Sequence, residues 1–513
     1  MNKNYYITTP IYYPSAKPHM GHAYTSIIAD FFARFKRMDG FDVHFLTGTD
    51  EHGLKIQKAA EKKNMDPTKF CNEISETFRN LSDTLNLSNT DFIRTTEDRH
   101  KKTVQHLWLE LEKNDQIYLS KYSGWYSLSD EAFYSKDEIT LKDGVKIASS
   151  SGSTVEWIEE ESYFFRLSKW QDKLLEYYEK NNDFISPISR KNEVVSFVKS
   201  GLKDLSISRM AFTWGIKVPN NPKHVIYVWL DALTNYISAL NYPNTSGDLF
   251  KKFWPASVHI IGKDILRFHA VYWPAFLMAA NIQLPNKIYG HGWILSGEEK
   301  MSKSKGNILD PLDIIETYGL DPLRYYLIKE VSFGNDGNIS QDKLEDCINS
   351  DLANNYGNLC QRVISFAEKN CSSKIPKIIK FNNEDLIMLD KFTNNLSVIR
   401  NEIDKQNINF YIDFIISALF EANKYFNDQE PWKKKDDQER LSTIVYTSLE
   451  MIRKISYMLY PIIPDSVKKA LVIFNLKTDD IDFESIGSHN FLKAGNNINK
   501  IDILFKKIEK IND

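Results

Sequence analysis

A buried strand that runs into a proline-rich loop and then directly into a helix is the most restrictive feature of this 513-residue chain. Tyr5-Tyr6-Ile7-Thr8-Thr9 is aromatic and β-branched, the composition of a short buried strand. Pro10, Pro14 and Pro18 remove backbone donors and fix φ, so the next stretch runs as an extended loop. From about His19, apolar residues recur at mixed three- and four-residue spacing (Ile27, Ile28, Phe31, Phe32, Phe35) until Gly40, which predicts a helix. Pro18-His19-Met20-Gly21-His22 therefore falls where a strand feeds the first turn of a helix. Such a turn has unpaired N–H groups, Gly21 admits close backbone approach, and two imidazoles add donors, which together suit a phosphate. A single histidine here reads as an ordinary loop residue; the block as a whole points to a ligand.

Phe41 to Leu46 reads as a second strand and runs into Gly48-Thr49-Asp50-Glu51-His52-Gly53. Strand, helix and strand with short joints form the βαβ unit of a parallel sheet, with a right-handed crossover. Both polar blocks then lie at carboxyl ends of strands, where open α/β sheets bind ligands. Asp50 or Glu51 could hold a substrate ammonium, and either could equally cap the helix that begins near Leu54.

From about Lys121 the pattern changes to short aromatic pieces, Tyr122–Tyr126 and Asp130–Tyr134, followed by a Ser/Gly loop at Ala148–Thr154. Glu161 to Tyr178 reads as a helix, and the whole stretch as an insertion between two halves of a sheet. Arg209, near its end, is a surface residue by default. The sheet pattern resumes with Val225–Ala232 and Val258–Asp264, each ending in polar residues. A helix from near Ile265 carries His269, and Lys287-Ile288-Tyr289 leads into Gly290-His291-Gly292. Glu298 to Asn307 then alternates lysine, serine and glycine without apolar periodicity. That run is either a solvated face or a mobile grip for a triphosphate. Beyond about Asp351 the chain reads as a helix bundle, with Pro431, Pro461 and Pro464 as punctuation.

The length suggests about three domains. A net charge of −3 excludes a wholesale polycation, so any nucleic-acid contact comes from local patches. Cys71, Cys347, Cys360 and Cys371 form no CxxC pair, which argues against a structural zinc and a disulfide framework. No apolar leader precedes the first strand, and the longest apolar run, Phe268–Ile282, is too short to span a bilayer. A cytoplasmic protein with no membrane contact is expected.

His19-Met20-Gly21-His22 resembles the HIGH motif, and Lys300-Met301-Ser302-Lys303-Ser304 is a KMSKS motif. In this order on a split sheet they resemble a class I aminoacyl-tRNA synthetase. With TPIYY, TGTDEHG, VWLDA, IGKDI and GHGW the chain is similar, over nearly its whole length, to the methionyl-tRNA synthetase family. The resemblance implies a Rossmann-like catalytic domain, first half 1–118, interrupted by a connective insertion at 119–222 and resumed at 223–292. A KMSKS and stem-contact region at 293–350 and an all-α anticodon-binding domain at 351–513 would follow.

It implies that L-methionine is joined to ATP, pyrophosphate leaves, and the aminoacyl group passes to the 3′ end of tRNA(Met). Catalytic roles fall on His19, His22, Lys300, Lys303 and Arg209. The ATP site would use His19, Gly21, His22, Lys263, Asp264, Gly290, His291, Gly292 and Lys303, with Mg2+ arriving on the nucleotide. The methionine pocket would be Ile11, Tyr13, Asp50, Trp229, Ala232, Leu233, Tyr236, Ile265 and His269; some relatives have proline where Leu233 stands. Without the family, these aromatics read equally well as core. Asn358, Arg362 and Trp432 match the anticodon readers, and the Lys433–Lys435 run beside them is either phosphate attraction or a solvated helix end.

Many relatives carry a cysteine-ligated zinc knuckle in the insertion. Ser127 and Asp130 stand there instead, which implies the metal-free subgroup. The family's optional C-terminal dimerising module has no counterpart, so a monomer is expected. The rivals are another class I synthetase, a HIGH-motif nucleotidyltransferase and a non-catalytic tRNA-binding protein.

Overall fold

The computed structural model describes residues 3–14, 18–127, 130, 132–296, 299–300 and 310–509. Its centre is a six-stranded sheet built from β1 (Asn4–Thr8), β2 (Asp42–Thr49), β3 (Asp91–Arg94), β4 (Ile185–Ser186), β5 (Val258–Gly262) and β6 (Ile288–His291). The strand order is β3-β2-β1-β5-β6-β4. β1 runs parallel to β5, with Ile7 opposite Val258 and Thr8 opposite His259, and β5 runs parallel to β6. β2 and β3 are parallel as well.

Tyr6 and Ile7 of β1 are buried, as expected of a central strand with both faces covered. Strand order reverses between β1 and β5, and the crevice at such a switch point lies outside the carboxyl ends of the strands. The helix that follows the proline loop, α1, is Met20–Met38.

The chain divides into two compact units. One holds Asn4–Ala29 and Val43–His291, with a main apolar core that joins Tyr6, Leu46, Ile93 and Ile288 to Val104, Leu107 and Trp108 of the helix Asp98–Lys113, and smaller clusters at Ile56, Ala60 and Phe70 and at Tyr12, Phe78 and Phe92. The other holds Lys3, Asp30–Asp42 and the described residues from Gly292 onward. Within it Asp30 accepts from Arg34 at 2.7 Å and from Arg324 at 2.6 Å. Arg324 is fully buried and also donates to the carbonyls of Ile462 (2.8 Å) and Pro461 (3.1 Å), so its charge is met on several sides. The long helices Asn383–Asp404, Ile408–Asp428 and Gln438–Leu459 form the expected bundle. Among the described residues no helix is long and apolar enough to cross a membrane.

Three local expectations are corrected. Tyr122–Tyr126 is not a short piece but part of an 11-residue strand, Ile117–Ser127, paired antiparallel with Glu156–Phe165. For the same reason Glu161–Phe165 is strand rather than helix: Phe164 stacks on Tyr118 across the pair, and the helix begins only at Gln171. Val225–Ala232 is not a strand of the parallel sheet. Strand Asn221–Ile226 belongs to a small antiparallel sheet, Tyr227 turns the chain, and Val228–Leu233 is a helix. That turn places the VWLDA residues on a helix face instead of a strand edge.

Candidate active site

The two histidines form the N-terminal cap of α1. His19 precedes the helix and takes the Gly21 N–H on its Nδ1 at 3.1 Å; His22 takes the His19 N–H on its Nδ1 at 3.1 Å. This is capping-box logic performed by imidazoles at i and i+3. The N–H of His19, just before the helix, and that of Gly21, in its first turn, are therefore occupied by the rings rather than open to a ligand. With both Nδ1 atoms accepting, each neutral imidazole carries its proton on Nε2, the tautomer that donates to a phosphate oxygen.

The rings stack with centroids 3.8 Å apart. Burial, and then the neighbouring His19, hold the His22 pKa well below the usual histidine value. A Cβ at Gly21 would crowd the His19 ring, 3.0 Å from its Cε1 and 3.1 Å from its Nδ1, so any larger residue there would push that ring aside.

Neighbouring side chains fix this pair. The Tyr12 ring meets His22 edge-on at 4.7 Å, and its hydroxyl bonds Ser26 at 2.6 Å. Phe78, stacked on Tyr12 at 5.8 Å, also meets His22 edge-on at 5.4 Å. Thr25 donates to the Gly21 carbonyl at 2.9 Å and meets His291 Nε2 at 2.9 Å, which ties the end of β6 to α1. Gly262 sits close to both neighbours of this corner: a Cβ would lie 2.6 Å from Asp264 Oδ1 and 3.9 Å from His291 Cε1. Lys263 and Asp264 open the short turn Lys263–Ile265 that follows β5, and Gly290 lies within β6 against Leu266.

The loop after β2 is pinned by Glu51, whose carboxylate is fully buried and accepts from Arg94 Nε (2.7 Å) and Nη2 (2.9 Å), Thr49 (2.7 Å) and Thr96 (2.5 Å). Asp50, beside it, is buried, and its N–H bonds the Tyr12 carbonyl at 2.9 Å. The Tyr13 hydroxyl donates to the His52 carbonyl at 3.3 Å. His52 Nδ1 and His100 Nε2 each lie 2.7 Å from one oxygen of Asp231. Burial alone would raise the Asp231 pKa, but the two imidazoles outweigh it and hold the carboxyl at about 2.

On the helix that carries Asp231, Trp229 stacks face to face on Phe268 at 3.6 Å, while Ala232 and Leu233 are buried. Tyr236 donates to His269 Nε2 at 2.7 Å because His269 Nδ1–H is committed to the Ile265 carbonyl at 3.0 Å. Burial lowers the His269 pKa to about 4, so this ring is neutral. Ile11, Trp229 and Ile265 are partly buried against the main core.

The structure thus links His19, Gly21, His22 and His291, and links Tyr13, Asp50, Trp229, Tyr236 and His269 through Tyr12, His52 and Asp231. Arg209 is not a surface residue: it is buried, donates to Ser206 at 2.8 Å and to the Ser208 carbonyl at 2.7 Å, and lies over the Tyr227 ring at 4.6 Å. Gly292 and Lys300 belong to the other unit. A Cβ on Gly292 would lie 2.2 Å from the Asn335 backbone, and Glu299–Lys300 pairs with Ile294–Ser296. Lys303 lies outside the described residues.

In that unit Arg362 donates to Asn427 at 2.5 Å and sits over Phe426, whose ring meets Trp432 at 6.2 Å. Asn358 begins the same helix, and Trp432 is 41% exposed. In the insertion, Asp130 accepts from Tyr134 and Ser153, each at 2.7 Å, and from Ser151; its N–H bonds Ser127 Oγ at 3.3 Å. Among the described residues no group of three or more His, Cys, Asp or Glu could hold a metal ion.

Sequence reasoning missed the roles of Glu51, Thr25, Phe268 and Asp231. Only Glu51 carried a faint signal, beside His52 in a polar block after a strand; the partners of both carboxylates, Arg94 for Glu51 and His52 and His100 for Asp231, lie far away in the chain.

The family of class I tRNA synthetases described as (M) matches residues 5–364, and the anticodon binding domain of methionyl tRNA ligase matches residues 375–513. The methionine–tRNA ligase of Rickettsia conorii is 52% identical over 99% of this chain and 100% of its own length. That of Rhizobium meliloti is 49% identical over 96% and 95%. Mycobacterium tuberculosis methionyl-tRNA synthetase in complex with methionyl-adenylate superposes with a TM-score of 0.95 at 44% identity, covering 98% of this chain and 99% of that one. The free-state structure of that enzyme gives 0.90 at 41% identity, covering 100% and 99%. With a parallel sheet, a helical C-terminal bundle and full-length relatives at about half identity, the chain belongs to the class I methionyl-tRNA synthetases, the methionine–tRNA ligases.

Proposed function

We propose that this ligase condenses methionine with ATP in the crevice at the carboxyl ends of β1, β2, β5 and β6. The observation that carries the reading is the capped imidazole pair, whose Nδ1 atoms are both engaged by backbone so that Nε2–H is the donating edge. The methionine carboxylate attacks the α-phosphorus of ATP in line, and the bond to the β-phosphate oxygen breaks. Methionyl-adenylate forms and pyrophosphate leaves. Such a transfer needs positioning and charge stabilisation more than covalent help from the protein.

In this reading His19 and His22 donate to phosphate oxygens as charge builds, while Gly21, Lys263, Asp264, Gly290, His291 and Gly292 shape the nucleotide side. Lys300 and Lys303 are assigned to the leaving pyrophosphate on the motif they form, and Arg209 is assigned to the same centre by family correspondence. Mg2+ accompanies ATP as part of the substrate.

Asp50 takes the substrate ammonium. The thioether lies among Ile11, Tyr13, Trp229, Ala232, Leu233, Tyr236, Ile265 and His269, where aromatic edges suit a polarizable sulfur. The tRNA 3′-terminal hydroxyl then attacks the adenylate carbonyl and AMP departs. Asn358, Arg362 and Trp432 read the anticodon of tRNA(Met), with the exposed indole offering a stacking face for an unpaired base.

The insertion is read as zinc-free because hydroxyls surround Asp130 where relatives place cysteines. Stoichiometric zinc in purified protein would overturn that. Cytoplasmic residence and a monomer complete the proposal, and sedimentation as a single chain tests the latter. The decisive experiment is amino-acid-dependent ATP–pyrophosphate exchange with methionine, leucine, isoleucine and cysteine. Exchange is expected with methionine alone. Exchange driven equally by another of these amino acids, or none with methionine, would refute the assignment.

A further inference from the structure

We propose that Asp231 is a positioning residue for the amino-acid slot, a two-sided clamp acting through His52 and His100. The inference rests on the assignment of that slot to Tyr13, Trp229 and their neighbours. Asp231 is 0% exposed and lies two residues after Trp229 and one before Ala232 on the helix Val228–Leu233. Each of its carboxylate oxygens holds one imidazole at 2.7 Å, His52 on one side and His100 on the other.

The two histidines come from separate elements. His52 belongs to the loop after β2 that bears Asp50, its carbonyl accepts the Tyr13 hydroxyl, and its ring packs edge-on against Trp214 at 5.6 Å. The Trp214 indole in turn donates to the Glu51 carbonyl at 2.6 Å. His100 belongs to Asp98–Lys113, the helix whose Val104, Leu107 and Trp108 lie in the main core. One carboxylate therefore fastens both walls of the slot to each other and to the rigid interior.

An apolar residue would fill this place without desolvating a charge, so packing alone does not account for an aspartate here. What the carboxylate adds is direction: two short hydrogen bonds fix two imidazole planes, and through His52 they fix the backbone that anchors Tyr13. A pocket that discriminates single methylenes has only a small energetic margin, so a wall displaced by a fraction of an ångström registers in methionine affinity.

The test is methionine-dependent ATP–pyrophosphate exchange by the full chain, with KM measured separately for methionine and ATP. Asp231→Asn and His52→Leu are expected to raise the methionine KM between about tenfold and a hundredfold while the ATP KM stays within about threefold. His52→Asn, which keeps a donor where Nδ1–H stands, is expected to recover most of that loss. If Asp231→Asn does not fold, the two His52 variants decide the matter alone. Equal rises in both KM values, or no recovery by asparagine, would show that the cluster merely holds the fold and would overturn the clamp. Trp229→Ala separates the two readings. A rise in its methionine KM with none for Asp231→Asn or His52→Leu overturns the clamp and leaves the slot standing. No rise for Trp229→Ala overturns the slot, and the clamp with it.

Discussion

Replacing Glu51 with glutamine tests how the loop that bears Asp50 is held. All four contacts to the Glu51 carboxylate come from donors: two guanidinium N–H groups of Arg94 and the hydroxyls of Thr49 and Thr96. The threonine hydroxyls can rotate to accept from an amide NH2, but the guanidinium cannot. Whichever carboxylate oxygen becomes nitrogen, one Arg94 N–H then faces another N–H. The substitution removes one charge-assisted hydrogen bond, worth about 1.5–3 kcal/mol, and leaves a cation poorly matched. Breaking a fully buried pair costs about 3–5 kcal/mol. The Arg94 side chain is 20% exposed, so water reclaims part of this, and a loss of about 2–4 kcal/mol is expected.

The assay is a double-mutant cycle of Glu51→Gln and Arg94→Gln by denaturant unfolding. The expected coupling is above about 1.5 kcal/mol, because the residues share two hydrogen bonds. Additivity within about 0.5 kcal/mol would refute the reasoning.

Trp432→Ala is expected to abolish most tRNA charging while methionine-dependent ATP–pyrophosphate exchange stays near its original rate; equal loss of both would make the indole structural. Acid should weaken the catalytic unit through its neutral buried histidines. His269 falls from its ordinary 6.5 to about 4 on burial, and His22 and His259 shift in the same direction. Between those two pH values the unfolded chain binds a proton on His269 that the folded chain refuses, so stability drops as pH falls through the window. The slope is at most about 1.4 kcal/mol per pH unit for one histidine. His269→Gln should flatten that slope, and an unchanged slope would assign it to other groups.

Much of the central sheet was legible because β1, β2, β5 and β6 are short, β-branched and aromatic stretches that end in polar residues, as suits strands buried on both faces. Tyr163-Phe164-Phe165 misled because aromatic residues within Glu161–Tyr178 fit a helical period as well as a strand. Long-range pairing with Ile117, Tyr118 and Leu119 decided the outcome, and no local propensity reports that. Val225–Ala232 misled in the other direction. Its apolar run is unbroken from Val225 to Leu230, yet Tyr227 alone separates the strand from the helix.

The motif residues were visible, but the reason for their spacing was not. At a spacing of three, the His22 ring reaches back to the N–H of the capping residue while the His19 ring reaches forward to that of Gly21 in the first turn. Asp231 and His100 are 131 residues apart, and only the fold reveals that they meet.

The imidazole pair both caps a helix and presents donating edges, and His22→Asn separates the two tasks. Asparagine places an acceptor where Nδ1 stands, preserving the cap, but has nothing at Nε2. The rate of methionine-dependent ATP–pyrophosphate exchange at saturating substrates is expected to fall by about 10²–10³, while the unfolding transition stays cooperative and its midpoint drops only by the lost ring contacts to His19, Tyr12 and Phe78. A variant that folds normally and exchanges within about threefold of the parent would contradict a phosphate role for these rings.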